Sequence, residues 1–219
     1  MAEVDLLARL PKSKRNVKAR EHARTDEIIR ISREYGETYF DGPREYGYGG
    51  YRYDGRWVPI AQDMIAHFGL RPGMRVLDVG AAKGFLVKDL MIACPGLEAF
   101  GLDVSEYALR HCEPEVVGRL HLGNALSLPF PDHSFDAVVS INTLHNLPRD
   151  GVISALREIM RVTRGGKAFV QVDSYRDEAQ RLVFLDWVLT AKFHDFPDGW
   201  LRLFEEAGYQ GDHAWTIVE

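Results

Sequence analysis

Short apolar runs and amphipathic stretches follow one another along the chain from residue 75 to the C-terminus. Nearly continuous apolar runs such as Ala137-Val138-Val139 are typical of strands covered on both faces, as in a parallel sheet. Most of the intervening stretches repeat their apolar residues every three or four positions, which predicts helices. We therefore predict a single-domain α/β fold with a doubly wound, mostly parallel, seven-stranded sheet. The strands are expected at 75–79, 98–103, 119–123, 135–141, 167–173, 188–193 and 213–218.

The N-terminal quarter of the chain has a different pattern. Residues 9–24 are rich in lysine and arginine, and we interpret them as a solvated arm, with a partner-binding patch as the alternative. Thr25 is predicted to cap a short helix that runs through Tyr35. Aromatic residues and glycines are then interleaved from Tyr39 to Trp57. The sequence thus predicts a helical and aromatic N-terminal cap ahead of the sheet.

Composition and charge narrow the class of protein. The 219 residues carry a net charge of -5, which disfavours a nucleic-acid partner because phosphate binding needs clustered positive charge. Cys94 and Cys112 are too few for a disulfide framework or a structural zinc site, and we predict no metal. No apolar run approaches the roughly 20 residues of a membrane span, and no signal peptide is recognisable. We expect a cytoplasmic protein without a membrane partner, whose oligomeric state stays open.

A glycine-bearing turn directly after the first predicted strand is the strongest candidate for chemistry. Gly80 and Gly84 stand where the chain must bend and where a ligand must approach bare backbone. Asp78 precedes this turn, and Asp103 ends the next strand, where a carboxylate can accept hydrogen bonds from both hydroxyls of a ribose. These features predict a nucleotide site at the carboxyl ends of the strands. Alone, they fit NAD and S-adenosylmethionine equally.

Further matches in the same order distinguish the two cofactors. Gly123-Asn124-Ala125 ends the third predicted strand, and Leu128-Pro129-Phe130 precedes the aspartate-initiated fourth. With these, the chain resembles the class I S-adenosylmethionine-dependent methyltransferases, in the small-molecule branch akin to the ubiquinone and sugar enzymes, over residues 57–219. The resemblance implies a Rossmann-like fold with a closing antiparallel strand and S-adenosylmethionine (SAM) as cofactor. It divides the chain into residues 1–56, an arm and aromatic lid, and residues 57–219, the cofactor-binding domain.

The resemblance also implies roles for individual residues around the cofactor. Gly80 and Gly84 would surround its methionine and ribose parts, Asp103 would hold the ribose hydroxyls, and Asn124 would meet the adenine. Asn124 departs from the aspartate that is usual there, and Ala82 replaces a glycine, which demands a conventional backbone conformation. The predicted cofactor-binding residues are Asp78, Gly80, Ala81, Gly84, Asp103, Val104, Asn124, Ala125, Ile141, Asn142 and, from the lid, Tyr48.

The methyl acceptor is the least specified part of the prediction. A hydroxyl acceptor needs a base, and the candidates at strand ends are His145, Asp173 and His194. Arg52 and Arg56 in the lid could pair with an anionic group. We therefore expect methylation of O or N of a small polar metabolite, with a sugar or sugar nucleotide favoured. The alternatives are a quinone-like or aromatic acceptor, a catalytically silent SAM-binding regulatory module and, least, an NAD-linked oxidoreductase.

Overall fold

A parallel six-stranded sheet runs through the centre of the molecule in the computed structural model, which describes residues 1–11 and 17–218. The strand order is β3-β2-β1-β4-β5-β6, and every neighbouring pair is parallel. This confirms the predicted doubly wound α/β fold. The strands are β1 (Arg75–Val79), β2 (Glu98–Asp103), β3 (Leu120–Leu122), β4 (Ala137–Ile141), β5 (Ala168–Ser174) and β6 (Asp212–Ile217).

Helices cover both faces of this sheet, which explains the continuous apolar runs in the strands. Alternate strand residues point to opposite faces, so Leu77 packs in one core cluster and its neighbour Val76 packs in the other. The helices are α1 (Val17–Ala23), α2 (Asp26–Ser32), α3 (Glu37–Phe40), α4 (Val58–Phe68), α5 (Phe85–Ala93), α6 (Glu106–Arg110), α7 (Arg149–Val162), α8 (Glu178–Trp187) and α9 (Pro197–Ala207). Helices α4 and α5 cover the Val76 face, and α7 and α9 cover the Leu77 face.

Two features of the predicted sheet are wrong. Residues 188–193 form no strand; the backbone N–H groups of Lys192 and Phe193 instead donate to the carbonyl of His145. Their apolar pattern arises because this segment packs against Phe184 and neighbouring residues rather than within the sheet. In addition, β6 is parallel to β5 and lies directly beside it, so the closing antiparallel strand is absent from the described part of the chain.

The N-terminal residues belong to the main core. Val4 donates its backbone N–H to the backbone carbonyl of His213 in β6. Leu6 and Leu7 are buried in the core cluster that also contains residues of α4 and α5. The prediction of a solvated arm is wrong for Arg20, which is 7% exposed. Lys12, Lys14 and Arg15 of the basic segment lie outside the described residues.

The predicted helical cap is present ahead of the sheet. Thr25 caps α2 by accepting the backbone N–H of Ile28 at 3.2 Å. None of the helices in the two described ranges is long and apolar enough to cross a membrane.

Candidate active site

A cavity of about 760 Å³ opens at the carboxyl ends of β1, β2, β4 and β5, beneath the N-terminal helices. In an open parallel sheet this is the edge where ligands bind, because the strand order reverses there. Asp78, Asp103 and Asn142 line the part over the sheet, and Tyr39 and Trp187 line the part under the cap. The cavity therefore has one region over the glycine-bearing turn that follows β1 and another against the N-terminal segment.

The turn from β1 into α5 requires glycine at both predicted positions. Gly80 has a φ of 91°, and a Cβ there would lie 1.9 Å from Thr143 Oγ1. Gly84 has a φ of 77° and is the N-cap residue of α5. Both conformations are left-handed, which glycine adopts without the steric cost that other residues bear. The backbone N–H groups of Gly80 and Ala81 both donate to Leu102, at 2.7 and 3.1 Å.

Ala82 contradicts the expectation of a conventional backbone conformation. Its φ is 49°, so the alanine occupies the left-handed region that a glycine would occupy more easily. Its backbone N–H donates to Asp103 Oδ2 at 2.7 Å, and its methyl group packs in a small cluster with Phe40 and Ala108. The hydrogen bond to Asp103 and the packing of the methyl group hold the residue in this conformation.

Two carboxyl groups face the cavity beside this turn, the buried Asp78 and the half-buried Asp103. Asp103 also accepts the backbone N–H of Ser105 at 2.8 Å, and burial raises its pKa although these hydrogen bonds oppose the shift. Asp78 is 5% exposed, and burial together with the charge of Asp103 raises the pKa of Asp78 to about 7. This pair gives the cavity a strongly negative region that suits a cationic, hydroxyl-bearing ligand.

The aromatic cap is fastened to the turn through Lys83. Its ammonium donates to Asp41 Oδ2 at 2.6 Å and to the Tyr51 carbonyl at 3.0 Å, and its side chain is 8% exposed. The Tyr51 ring stacks on Phe85, the first residue of α5, with a centroid distance of 4.6 Å. Burial alone would raise the pKa of Asp41, but hydrogen bonds from Lys83 and Tyr107 outweigh it and lower that pKa. Residues 41–51 are thereby held over the cavity.

A histidine and an aspartate meet at the ends of β4 and β5. His145 Nδ1 accepts the backbone N–H of Asp173 at 3.0 Å, so the ring proton resides on Nε2. Nε2 lies 3.4 Å from Asp173 Oδ2, and both residues line the cavity. Burial lowers the pKa of His145 and keeps its ring neutral. The Asp173 backbone carbonyl also accepts the indole N–H of Trp200, at 3.1 Å. The backbone of Asp173 is therefore held at both its N–H, by His145, and its carbonyl, by Trp200.

Comparison with known proteins identifies the family. A family model described as a methyltransferase domain matches residues 77–170. The chain is 28% identical over 195 residues to a demethylmenaquinone methyltransferase of Symbiobacterium thermophilum, covering 71% of this chain and 76% of that protein. It is 30% identical to a sterol 24-C-methyltransferase of Gibberella zeae, covering 68% of this chain and 44% of that protein.

Residues 77–170 match a methyltransferase domain, and the comparisons support a class I S-adenosylmethionine-dependent methyltransferase.

The relatives of this methyltransferase differ in how much of their own length the chain covers. Besides the two just described, a 2-methyl-6-phytyl-1,4-hydroquinone methyltransferase of Synechocystis is 29% identical, covering 68% of this chain and 53% of that protein. The chain thus spans about half the length of most of the curated relatives it matches. The family assignment confirms the predicted enzyme class and the predicted cofactor, SAM.

Solved structures share the fold of this methyltransferase. The YcgJ protein of Bacillus subtilis has a TM-score of 0.56 at 22% identity, covering 67% of this chain and 66% of that one. The [4+2]-cyclase SpnF has the same TM-score at 23% identity, covering 69% of this chain and 56% of that one. Because a structure named as a cyclase shares the fold, the fold alone does not define the reaction.

The residues at the turn fit SAM. The cofactor carries a sulfonium, an ammonium and two ribose hydroxyls. The buried Asp78 and the half-buried Asp103 provide carboxyl groups for cations and hydroxyl donors. Asp103 retains lone pairs beyond the two backbone N–H groups it accepts, which leaves it able to accept from ribose hydroxyls.

Most of the predicted site residues line the same cavity of the methyltransferase. Asn124 Oδ1 accepts the Leu126 backbone N–H at 3.0 Å, so its amide oxygen is partly engaged by its own loop. The cofactor candidates that line the cavity are Asp78, Gly80, Ala81, Asp103, Val104, Asn124, Ala125, Ile141, Asn142 and Tyr48.

Gly84 and His194 are the predicted residues that do not line the cavity. Gly84 is the N-cap residue of α5 and so positions the start of that helix. His194 lies beside Tyr175 and Phe184, with Nδ1 3.1 Å from the Tyr175 hydroxyl. The structure therefore brings together His145 and Asp173 but not His194.

Sequence reasoning gave no site role to Arg20, Arg44 or Trp187, which all line the cavity. It also gave no role to Lys83, which is buried and fastens the cap. The contacts of these side chains join residues that are 20 or more positions apart along the chain. Local sequence patterns therefore do not predict them.

Proposed function

We propose that this methyltransferase transfers a methyl group from SAM to a hydroxylated aromatic ring, at the ring oxygen or at the carbon beside it. The observation that carries the proposal is Asp173, whose Oδ2 lies 3.4 Å from His145 Nε2 at a cavity with aromatic walls. A phenolic hydroxyl needs a base, and a flat ring fits between aromatic side chains. Tyr35, Tyr39 and Trp187 supply such surfaces.

The relatives favour a ring acceptor over a sugar. Two of them are named as methyltransferases of demethylmenaquinone and of a 1,4-hydroquinone, and a third as a sterol C-methyltransferase. No relative among them is named for a sugar substrate, so the comparisons give the sugar expectation no support. The quinone-like alternative from the sequence therefore becomes the leading proposal for the acceptor.

In this mechanism the chain's own residues position the ring and move one proton. When bound, SAM supplies an electrophilic methyl group whose leaving thioether is neutral. Asp173 Oδ2 accepts the proton of the ring hydroxyl, which raises the electron density on that oxygen and on the adjacent ring carbon. Methyl transfer to the oxygen then completes the reaction. Methyl transfer to the carbon gives a dienone, which becomes aromatic again when that carbon loses its proton to water and Asp173 returns its proton to the ring oxygen. General base catalysis of this kind contributes about 10²- to 10⁴-fold in rate. Most of the remaining acceleration comes from holding the acceptor in line, which is worth roughly 7–11 kcal/mol in well-oriented systems.

His145 acts as a positioning residue for Asp173. Its Nδ1 is occupied by the Asp173 backbone N–H, so this nitrogen is not free to take a proton from an acceptor. Its Nε2 lies 3.4 Å from Asp173 Oδ2, so the buried ring packs against that carboxyl group and limits where it can turn. The pKa of His145 is lowered by burial, which keeps the ring from charging near neutral pH. The base is therefore assigned to Asp173.

The alternative of a silent cofactor-binding module requires a cavity with no polar group near the reacting methyl. The ends of β4 and β5 carry Asn142, His145 and Asp173 at the cavity instead. This favours an enzyme over a regulatory module.

Methyl transfer to simple dihydroxy rings tests the proposal. Protein and SAM are incubated under argon with hydroquinone, methylhydroquinone or 1,4-dihydroxynaphthalene, with UDP-glucose as the sugar comparison, and S-adenosylhomocysteine (SAH) is measured. We expect turnover with the rings and none with the sugar. Asp173→Asn should lower kcat about 10²- to 10⁴-fold while SAM affinity by calorimetry stays within twofold.

The matched control is Glu205→Gln, which neutralises an exposed acid on α9. It should retain the full rate. An Asp173→Asn variant as fast as the parent would refute the assignment of the base. Turnover with UDP-glucose and none with the rings would refute the aromatic acceptor and restore the sugar.

A further inference from the structure

Arg20 is a buried cation held by neutral groups. Its residue exposure is 7%, and its guanidinium donates to the backbone carbonyls of Gly47, at 3.3 Å, and Glu45, at 3.5 Å. The guanidinium carbon lies 4.5 Å from the centroid of the Trp187 ring. Burial and the nearby charge of Arg44 lower the pKa of Arg20 to about 10. A guanidinium has five N–H donors, and within residues 1–11 and 17–218 two backbone carbonyls accept from this one.

Arg44 stands beside the same groups. It also donates to the Gly47 carbonyl, and its guanidinium carbon lies 5.7 Å from the Trp187 centroid. One carbonyl and one indole ring therefore hold two positive charges side by side. Like charges this close repel each other, and water screens them little when one of them is buried.

No acid compensates these two charges. Within residues 1–11 and 17–218, neither guanidinium has a carboxylate oxygen within 4.0 Å. Elsewhere in the molecule, arginines such as Arg56 and Arg161 pair with neighbouring acids. Both uncompensated arginines line the cavity that also holds Asp173. A paired, pre-positioned and uncompensated set of guanidinium groups is the usual arrangement for binding a carboxylate or phosphate.

We infer that Arg20, Arg44 and Trp187 form an oxyanion subsite for the methyl acceptor, which therefore carries a carboxylate or phosphate on its ring. The inference rests on the proposed function for the identity of the ring but not for the anion. The anion would lie between the guanidinium groups and relieve their repulsion, while the cavity places the hydroxyl end of the acceptor toward Asp173. This substrate class differs from the uncharged rings that the relatives' names describe.

Binding and turnover of ring compounds that differ only in their anionic group test the subsite. SAH-saturated protein is titrated by calorimetry with hydroquinone, 2,5-dihydroxybenzoate and 2,5-dihydroxyphenyl phosphate, and turnover is measured with SAM. At least one anionic compound should bind tenfold or more tightly than hydroquinone, and the better of the two identifies the anion. Arg44→Met should reduce that preference about tenfold or more, because hydrogen bonds between charged groups are strong.

Arg110→Met is the matched control, because Arg110 is an exposed arginine on α6 that pairs with Glu106 and does not line the cavity. It should leave most of the preference intact. Arg20→Lys provides a second variant that retains the buried charge but loses the forked geometry, and it should weaken the anionic compound more than hydroquinone. Equal binding of charged and uncharged rings, or a preference that survives Arg44→Met, overturns the subsite.

The two proposals fail in different ways. A carboxylate preference in binding without methyl transfer to any ring would refute the aromatic acceptor and support the subsite. Methyl transfer to hydroquinone as fast and as tight as to the anionic rings would support the acceptor and refute the subsite.

Discussion

Protonation of Asp78 should control how tightly the methyltransferase binds SAM near neutral pH. The carboxyl group is 5% exposed, and burial and the charge of Asp103 raise its pKa to about 7, against an ordinary value of 3.8. The cofactor brings positive charge to this carboxyl group, so it binds the ionised form better. Below pH 7, binding must first release a proton. The affinity should therefore fall as the pH is lowered, by up to about tenfold per unit.

The same pKa makes a prediction for the ligand-free protein. Because the folded-state pKa lies above the unfolded-state value, the folded protein binds the extra proton between about pH 4 and pH 7. Stability from this group is fully present below pH 4 and is lost as the pH rises through 7. A shift of about three units corresponds to roughly 4 kcal/mol, at 1.36 kcal/mol per unit. Asp78→Asn should therefore raise the free energy of unfolding at pH 8 while it weakens SAM binding.

Calorimetric titrations with SAM and with SAH from pH 5.5 to 8.5 measure the first effect, and urea unfolding over the same range measures the second. Asp78→Asn should flatten both pH dependences. Asp150→Asn is the control, since the Asp150 side chain is 98% exposed and lies outside the cavity. Parallel slopes for the parent and Asp78→Asn, or an affinity that falls as pH rises, would refute the reasoning.

Two further substitutions examine the turn and the cap. Gly80→Ala should destabilise the fold by about 2 kcal/mol more than Gly118→Ala in urea unfolding. Both have positive φ, but only a Cβ at Gly80 meets another atom, Thr143 Oγ1 at 1.9 Å. Equal losses would contradict the steric account. Lys83→Met should cost about 2 kcal/mol and speed proteolysis within residues 41–57, because it removes two hydrogen bonds to the cap. Lys167→Met, which loses only a bond to a distant carbonyl, should leave that cleavage rate unchanged.

The cofactor half of the site was predictable because its signals are local. A continuous apolar strand, a glycine at the bend and an acid at the next strand end each follow from a few consecutive residues. Gly80 and Asp103 were placed correctly at the cavity on that basis. The conformation of Ala82 was not, since an alanine in the left-handed region is disfavoured locally and is held there by Asp103, 21 residues away.

Features set by long-range contacts were not predictable in this way. The apolar pattern of residues 188–193 fits a strand, but whether such a segment joins a sheet depends on which edge is available to it. The direction of β6 beside β5 likewise depends on the path of the intervening chain, which periodicity does not encode. Lys83 and Asp41 are 42 positions apart, and no pattern relates them.

The difference between local signals and long-range contacts also explains why sequence similarity identifies the cofactor better than the acceptor. The family model covers residues 77–170, a range that contains Asp78, Asp103 and Asn142 but none of Arg20, Arg44 and Trp187. Similarity over residues 77–170 therefore reflects what SAM binding requires, and this requirement is common to all members of the family. The proposed oxyanion subsite is built from α1, the segment after α3 and the end of α8, which lie outside it. Acceptor specificity in this chain must therefore be determined from the contacts of these flanking segments, even where the relatives' names agree with one another.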